Sequence, residues 1–217
     1  MPDAELHDGR FIRLQRLIGE ESLRRLSRSF VVVVGLGAVG SYATEALARA
    51  GIGKLRLVDF DEVRLSNINR QLLALGSTLG RKKCELAAAR VRDINPRCEV
   101  HALDCFVHCD TLDLVLEGEP DLVVDAIYSF TPKVVLLEEL IRRNIPVISS
   151  MGAALRTDPT MVRVGPMRKV AGCPLAAKLR KALRKKGLPL EFTCVYSLES
   201  TCHLPREAID MGAEEND

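Results

Sequence analysis

Short apolar runs alternate with amphipathic segments over residues 30–150. The first run, Phe30–Val34, is β-branched and ends at a glycine, which predicts a strand buried on both faces of a parallel sheet. By the same criteria further strands are predicted at 55–59, 98–103, 121–125 and 146–150. Helices are predicted between the strands, at 41–50, 81–94, 111–116 and 132–143. This alternation predicts an α/β fold with a doubly wound parallel sheet.

The pattern changes on both sides of this region. Residues 10–29 are predicted to be helical and carry many arginines, and a long polar loop is predicted at 60–77. After residue 150, strands predicted at 161–164 and 192–196 flank a basic helix at 174–186. We therefore expect a nucleotide-binding domain over 10–150 and a C-terminal extension over 151–200. We expect 201–217 to be an atypical acidic tail, truncated or disordered.

Composition and charge narrow the class of protein. The chain has 217 residues, of which 47% are hydrophobic and 28% charged, as in ordinary soluble domains. A net charge of +2 excludes a polycation, so any nucleic-acid surface must be a local patch. No apolar run approaches the roughly 20 residues of a membrane span, and the polar N-terminus lacks a signal sequence. These features predict a cytoplasmic protein with no membrane partner.

The cysteines give little sign of a metal centre. The sequence has seven of them and no Cys-x-x-Cys pair, the pairing that zinc sites usually contain. The one candidate cluster is Cys105 and Cys109 with His101 and His108. Reduced thiols, several of them in the core, are the favoured interpretation.

A glycine motif predicts the principal binding site. Gly35, Gly37 and Gly40 form Gly-x-Gly-x-x-Gly, with Ala38 inside it, between a predicted strand and a predicted helix. This arrangement gives a tight turn, a close approach of backbone to phosphate, and a helix N-terminus that binds anions. Asp59 ends the next strand, where a carboxylate can bind ribose hydroxyls. The motif predicts an adenine-nucleotide site and by itself fits both NAD and ATP.

Two cations favour ATP. Arg70 and Lys83 follow the second strand, where the additional phosphates of a triphosphate would lie. Attack of a carboxylate on an α-phosphate requires neutralisation of negative charge on the reacting groups, whereas a nicotinamide requires a flat pocket. The alternative interpretation is ordinary solvated surface charge, which the nearby glycine motif makes less favoured.

Several motifs in order along the chain indicate a family. Over roughly residues 10–200 the chain resembles the ThiF/MoeB/HesA superfamily of carboxylate-adenylating enzymes, which includes the ubiquitin-activating enzymes. The motifs that carry this resemblance are the glycine turn, Asp59-Phe60-Asp61, Ser66-Asn67-Ile68-Asn69-Arg70-Gln71, Gly80-x-x-Lys83 and Ile94-Asn95-Pro96. Later motifs narrow the resemblance to the tRNA threonylcarbamoyladenosine dehydratases: Met151-Gly152-Ala153, Asp158-Pro159-Thr160, Cys173-Pro174-Leu175-Ala176, the basic helix and Val195-Tyr196-Ser197-x-Glu199.

The resemblance implies a function and a set of site residues. It implies a Rossmann-like fold and an ATP-dependent ligase or cyclase that activates the carboxylate of threonylcarbamoyladenosine in tRNA and closes a ring. It assigns catalysis to Arg13, Arg70 and Lys83, with Arg13 reaching the partner's site in a homodimer. It assigns nucleotide binding to Gly35, Gly37, Ala38, Gly40, Asp59, Asp61, Asn69, Arg70, Gln71 and Lys83. ATP and Mg²⁺ are the implied cofactors, tRNA and a second copy the implied partners, and a sulfur-relay protein a further candidate partner.

The predicted basic helix supports a tRNA partner independently of the resemblance. Leu175, Leu179 and Leu183 recur at helical spacing, so one face of the helix is apolar. Six cations lie among them: Lys178, Arg180, Lys181, Arg184, Lys185 and Lys186. Such a face can neutralise RNA phosphates, although a solvated helix surface gives the same pattern.

The sequence departs from the family pattern in two places. The fourth-strand motif Asp-Ala-Ile-Asp reads Asp125-Ala126-Ile127-Tyr128, and a phenol at the expected magnesium position is a poor ligand for a hard cation. The sequence after Glu199 is also atypical, and an unprotected sheet edge is expected there. Two alternatives therefore stay open: a non-catalytic relative that binds nucleotide or tRNA, and an activator of a ubiquitin-like or sulfur-carrier protein. Such activators commonly have paired Cys-x-x-Cys ligands.

Overall fold

One mixed sheet organises the protein. A computed structural model describes residues 9–200, and these form a seven-stranded sheet in the order β3-β2-β1-β4-β5-β7-β6. The strands are β1 (Phe30–Val34), β2 (Lys54–Val58), β3 (Glu99–Leu103), β4 (Leu122–Asp125), β5 (Val147–Ser150), β6 (Val162–Pro166) and β7 (Thr193–Ser197). All neighbouring strands are parallel except β6, which runs antiparallel to β7. The predicted doubly wound α/β fold is confirmed.

Seven α-helices lie within the described residues, of which the first two precede β1 and the other five connect strands. They are α1 (Ile12–Ile18), α2 (Glu20–Arg28), α3 (Gly40–Arg49), α4 (Lys83–Ile94), α5 (Leu112–Leu116), α6 (Phe130–Arg142) and α7 (Pro174–Lys185). The helical character predicted over 10–29 is present as two helices, α1 and α2, which Gly19 separates with φ 83°. Among residues 9–200, no helix combines the length and apolar character that a membrane crossing requires.

The alternation of side chains along β1 separates two hydrophobic cores. All five residues of β1 are buried, and successive side chains of a strand point to opposite faces of the sheet. Val32 and Val34 pack into the core that also contains apolar residues of α5, α6 and α7. Val31 and Val33 pack into the core that contains residues of α3 and α4. Helices therefore cover both faces, which explains the continuous apolar run.

The C-terminal extension continues the same sheet. β7 pairs with β5 in parallel register, and β6 then pairs with β7. In the part of the chain that the structure describes, β6 is an edge strand, and its Val162 and Val164 side chains are exposed. The predicted tail at 201–217 lies outside the described residues.

The strand order places a crevice at one end of the sheet. β1 lies between β2 and β4, so the connections after β1 and β4 leave in opposite directions. Parallel sheets bind ligands at such a switch point, beside the carboxyl ends of the strands. The loop predicted at 60–77 also reaches this end, and it contains two short 3₁₀ helices, Leu65–Asn67 and Gly76–Thr78.

Candidate nucleotide-binding site

The glycine turn between β1 and α3 has the shape of an anion-binding loop. Gly35 has φ +88°, and a Cβ atom there would lie 2.8 Å from the carbonyl oxygen of Ala126. A Cβ atom on Gly40 would lie 1.7 Å from the Gly35 carbonyl oxygen, so only glycine allows this close packing. A Cβ atom on Gly37 would lie 3.8 Å from Gln71 Nε2, and the exposed Ala38 follows Gly37. No side chain caps the N-terminus of α3, which leaves backbone N–H groups for an anion.

Asp59 holds the glycine turn in place from the end of β2. Its Oδ2 atom accepts a hydrogen bond from the Leu36 N–H at 2.6 Å, and its Oδ1 atom accepts one from the Asp61 N–H at 2.8 Å. Burial raises the pKa of Asp59, and the Leu36 N–H partly opposes that rise. Each carboxylate oxygen keeps a second acceptor position, so the side chain can also bind hydroxyl groups of a ribose.

Lys83 and Asp61 meet beside this carboxylate. Lys83 begins α4 with its side chain only 5% exposed, and its Nζ atom lies 2.9 Å from the Asp61 Oδ2 atom. The ammonium is close enough to Asp59 to lower the pKa of that carboxyl group, against the larger effect of burial. The structure thus brings a buried cation to the carboxyl end of β2, next to the glycine turn.

The segment that follows the first 3₁₀ helix carries three further predicted site residues, Asn69, Arg70 and Gln71. Arg70 is exposed, and its Nη1 atom donates to the Ser66 carbonyl and to Asn69 Oδ1 at 2.8 and 2.9 Å. Gln71 is buried, and its Nε2 atom lies 3.8 Å from a Cβ built on Gly37. The Gln71 Oε1 atom has no hydrogen-bond partner. A buried acceptor without a partner is costly, and a hydroxyl group of a bound ligand would satisfy it.

Arg13 lies away from the crevice of its own chain. It is exposed on α1, and the nearby Phe11 ring lies 3.5 Å from a Cβ built on Gly51. Gly51 follows the C-terminal end of α3, whereas the glycine turn precedes its N-terminal end. A helix of this length separates the two by about 15 Å. The N-terminal part of α1 therefore packs near the end of α3 that is opposite to the glycine turn.

The carboxyl end of β4 does not fit a magnesium ion. Tyr128 is 80% exposed and offers only a phenol. Asp125 is fully buried, and its Oδ2 atom lies 2.8 Å from Lys133 Nζ and accepts from Ser149 Oγ at 2.6 Å. Mg²⁺ prefers accessible carboxylates and phosphates, so neither side chain provides the ligand that the family pattern places here.

The candidate cysteine and histidine cluster is dispersed. The His101 ring pairs with Glu99 at 2.6 Å, and Cys105 is half-buried. Among the described residues, one grouping has metal-ligand spacing, and it consists of the consecutive side chains His108, Cys109 and Asp110. Burial raises the pKa of Cys98 to about 11 and that of Cys194 to about 12. Both thiols are therefore protonated at neutral pH.

Helix α7 presents only part of its predicted basic face to solvent. Leu179 and Leu183 are fully buried, as the apolar spacing predicts. Arg180 turns inward and donates to the Val170 carbonyl at 2.5 Å, and Lys186 pairs with Glu138 at 2.8 Å. The remaining cations, Lys178, Lys181, Arg184 and Lys185, are exposed. Lys186 is exposed as well, so Arg180 alone among the six predicted cations departs from the outward basic face.

Sequence reasoning missed one buried cation close to the crevice. Lys133 has no exposed surface and lies in the first turns of α6. The one sequence feature that pointed to Lys133 was its position among the apolar residues of α6. That pattern does not show whether the lysine side chain is buried or extends to solvent.

The crevice defines a nucleotide-binding protein of the doubly wound α/β class. The ThiF family model matches residues 10–202, and the chain belongs to this family. It is similar to two curated proteins, both named tRNA threonylcarbamoyladenosine dehydratase. The protein of Bacillus subtilis (strain 168) is 45% identical over 88% of this chain and 75% of its own length. That of Escherichia coli (strain K12) is 41% identical over 88% of this chain and 74% of its own length.

Solved structures agree with these sequence relationships. The E. coli tRNA N6-threonylcarbamoyladenosine dehydratase in complex with ATP superposes with a TM-score of 0.85 at 40% identity, covering 89% of this chain and 83% of that one. The complex of the same enzyme with AMP gives a TM-score of 0.86 at 40% identity, with coverages of 91% and 84%. The fold is therefore that of a family whose members have been solved with adenine nucleotides.

Proposed function

We propose that this protein is an ATP-dependent carboxylate-activating enzyme that dehydrates threonylcarbamoyladenosine in tRNA to its cyclic form. The observation that carries the proposal is the crevice in which the glycine turn, Asp59 and the buried Lys83 meet. The named activity of the B. subtilis and E. coli relatives supports the substrate. The ATP and AMP complexes of the E. coli enzyme support the nucleotide.

The side chains of the crevice suggest how the nucleotide is oriented. The N–H groups at the start of α3 bind phosphate oxygens, and the lack of a side chain at Gly37 lets them approach. Asp59 binds the ribose hydroxyls, and Gln71 Oε1 accepts from a hydroxyl group. Lys83 can exchange its contact with Asp61 for a phosphate, since an ammonium rotates freely about its stem.

The chemistry requires one displacement at phosphorus and one ring closure. A carboxylate oxygen of the tRNA base bonds to the α-phosphorus as the bond to pyrophosphate breaks. An atom of the neighbouring carbamoyl group then attacks the activated carbonyl carbon, an N–H proton of that group passes to solvent, and AMP leaves with the carboxylate oxygen. The tRNA loses the elements of one water, and ATP becomes AMP and pyrophosphate. Negative charge grows on the departing groups, so Arg70 and Lys83 contribute by neutralising it.

Magnesium is implied by the family resemblance, but the end of β4 does not support it. The phenol of Tyr128 and the occupied carboxylate of Asp125 leave this strand without a free metal ligand. Arg70 and Lys83 therefore supply the charge neutralisation. The same feature favours a second candidate function, a relative that binds ATP and tRNA without turnover.

Two macromolecular partners complete the proposal. The exposed lysines of α7 form a positive surface that suits the phosphates of tRNA. The packing of the N-terminal part of α1 near the end of α3 opposite to the glycine turn supports a homodimer. In it, Arg13 reaches the crevice of the second copy, where a guanidinium can bind phosphate in bidentate fashion. The sulfur-relay partner and the cytoplasmic location stay predictions.

Pyrophosphate exchange distinguishes the candidate acceptors. The protein is incubated with ATP and labelled pyrophosphate, together with tRNA that carries threonylcarbamoyladenosine, with unmodified tRNA, or with a ubiquitin-like or sulfur-carrier protein. We expect exchange only with the modified tRNA, because only it supplies the proposed carboxylate. Exchange with a carrier protein would contradict the proposed substrate, and ATP binding without any exchange would favour the non-catalytic candidate.

A further inference from the structure

The connection between β4 and α6 packs directly on the glycine turn. The N–H of Ala126 donates to the Val34 carbonyl at 2.9 Å. The Ala126 carbonyl and Cβ atoms lie 2.8 and 3.3 Å from Cβ atoms built on Gly35 and Gly40 respectively. Because the two segments pack this closely, a shift of residues 126–128 would move the turn as well.

A buried ion pair fixes this β4–α6 connection. Lys133 Nζ lies 2.8 Å from Asp125 Oδ2 and donates to the Ile127 carbonyl at 3.0 Å. The Asp125 Oδ1 atom accepts from the Ile127 N–H at 3.2 Å, and Ser149 Oγ donates to Oδ2 at 2.6 Å. Both ionised side chains are 0% exposed. The pair therefore holds the N–H and the carbonyl of Ile127 at the same time.

Stability alone is a poor explanation for such a pair. The free-energy cost of removing two charges from water is nearly as large as the stabilisation from their mutual attraction. Proteins in which such a pair is replaced by apolar residues of the same volume are often equally stable. The pair does something an apolar pair cannot do, because it hydrogen-bonds both backbone groups of one residue beside the phosphate-binding turn.

We propose that Lys133 is a positioning residue for the nucleotide site. Together with Asp125 it fixes the β4–α6 connection, which in turn holds Gly35 and Gly40 in the shape that binds phosphate. Lys133 lies beneath the connection and contacts backbone and Asp125 rather than the crevice. The inference rests on the proposed function in one respect, which is that the ligand of the turn is an adenine nucleotide.

ATP affinity and thermal stability, measured on the same variants, test this proposal. Lys133→Met removes the charge and keeps the length, so we expect a lower Tm and roughly tenfold weaker ATP binding by calorimetry. The double variant Asp125→Leu/Lys133→Met should recover the Tm of the unaltered protein but keep the weaker ATP affinity. Ser149→Ala, a milder change that keeps both charges, should weaken ATP binding roughly threefold.

Arg56 provides the matched control. It is also a buried cation that binds backbone carbonyls, those of Leu114, Val115 and Glu117 at the end of α5. Arg56→Met should lower the Tm and leave ATP affinity unchanged well below the Tm. The proposal is overturned if the double variant recovers ATP affinity together with stability, or if Lys133→Met and Ser149→Ala bind ATP as the unaltered protein does. An unaltered protein that binds no ATP contradicts the proposed function and this proposal together.

Discussion

Single residues at the carboxyl ends of β1, β2 and β4 determine what the crevice can bind. Gly40 is required because any Cβ atom would overlap the Gly35 carbonyl. Asp59 is buried where both of its oxygens accept backbone N–H groups. Lys83 is the nearly buried cation of the crevice, whereas Arg70 is an exposed one. The contribution of each cation to ATP binding should therefore differ.

We expect Lys83→Ala to weaken ATP binding by at least about tenfold, because a charge-assisted contact in a buried site is worth more than about 1.5 kcal/mol. Arg70→Ala should weaken ATP binding less, or act mainly on turnover. Lys82→Ala is the control, since the Lys82 ammonium pairs with Glu62 and Asp104 instead. Calorimetric titration with ATP measures all three variants. Equal affinities for Lys82→Ala and Lys83→Ala would remove Lys83 from the site.

Tyr128 allows a direct test of the missing metal ligand. Tyr128→Asp places a carboxylate on an exposed position beside the crevice, which suits Mg²⁺. We expect turnover to rise by roughly tenfold or more, equivalent to about 1.4 kcal/mol of transition-state stabilisation. Tyr128→Asn is the uncharged control and should not raise the rate. If the unaltered protein turns over as fast as Tyr128→Asp, the non-catalytic candidate fails.

At the scale of elements, the packing of α7 determines which of its cations reach solvent. Its buried leucines face the core, so the cations at 178, 181 and 185 lie on the opposite face. Arg180 lies nearer the buried side, where its guanidinium bonds the Val170 carbonyl. The surface available to tRNA is consequently narrower than the sequence indicates.

Replacement of Lys178, Lys181 and Lys185 by Gln should weaken tRNA binding and lower its salt dependence. Three lost phosphate contacts reduce the slope of log K against log salt by roughly 2–3. The same charge change at Arg49, Arg92 and Arg142, which are distributed over other helices, serves as the control and should leave the slope unchanged. Filter binding across a salt series measures both. An unchanged slope in the α7 variant would place the tRNA elsewhere.

Much of the element pattern follows from the sequence. The β-branched run Phe30–Val34 and the glycine that follows it predict β1 and its turn, because both depend on local sequence alone. The division of 10–29 into two helices at Gly19 follows less directly from the sequence, because a glycine inside a helical pattern is often tolerated. The pairing of Lys133 with Asp125 could not be predicted, since it depends on how α6 packs against the end of β4.

At the scale of the whole molecule, the two cores on either side of the sheet protect most thiols. Cys84, Cys98, Cys173 and Cys194 are buried, whereas Cys109 is exposed. Burial raises the pKa of Cys98 and Cys194 well above neutrality, so their reactive thiolate forms are rare. Access to them requires large-scale opening of the protein.

Alkylation of the native protein should therefore modify Cys109 well before Cys98 and Cys194. The buried thiols should react at comparable rates only after denaturation, as mass analysis of peptides can show. Cys109→Ser is the control. Among the cysteines of residues 9–200, this variant should no longer show the rapid alkylation that we assign to Cys109. Fast native alkylation of Cys194 would contradict the close packing of β7 against β5 that the fold requires.

The central claim is that this crevice activates a carboxylate on tRNA at the expense of ATP. Its most direct test is mass analysis of the nucleosides of tRNA after incubation with the protein and ATP, with reactions lacking ATP as the control. We predict that threonylcarbamoyladenosine is replaced by a nucleoside lighter by one water, and only when ATP is present. Unchanged threonylcarbamoyladenosine in a reaction where the protein demonstrably binds both ATP and tRNA would contradict the claim.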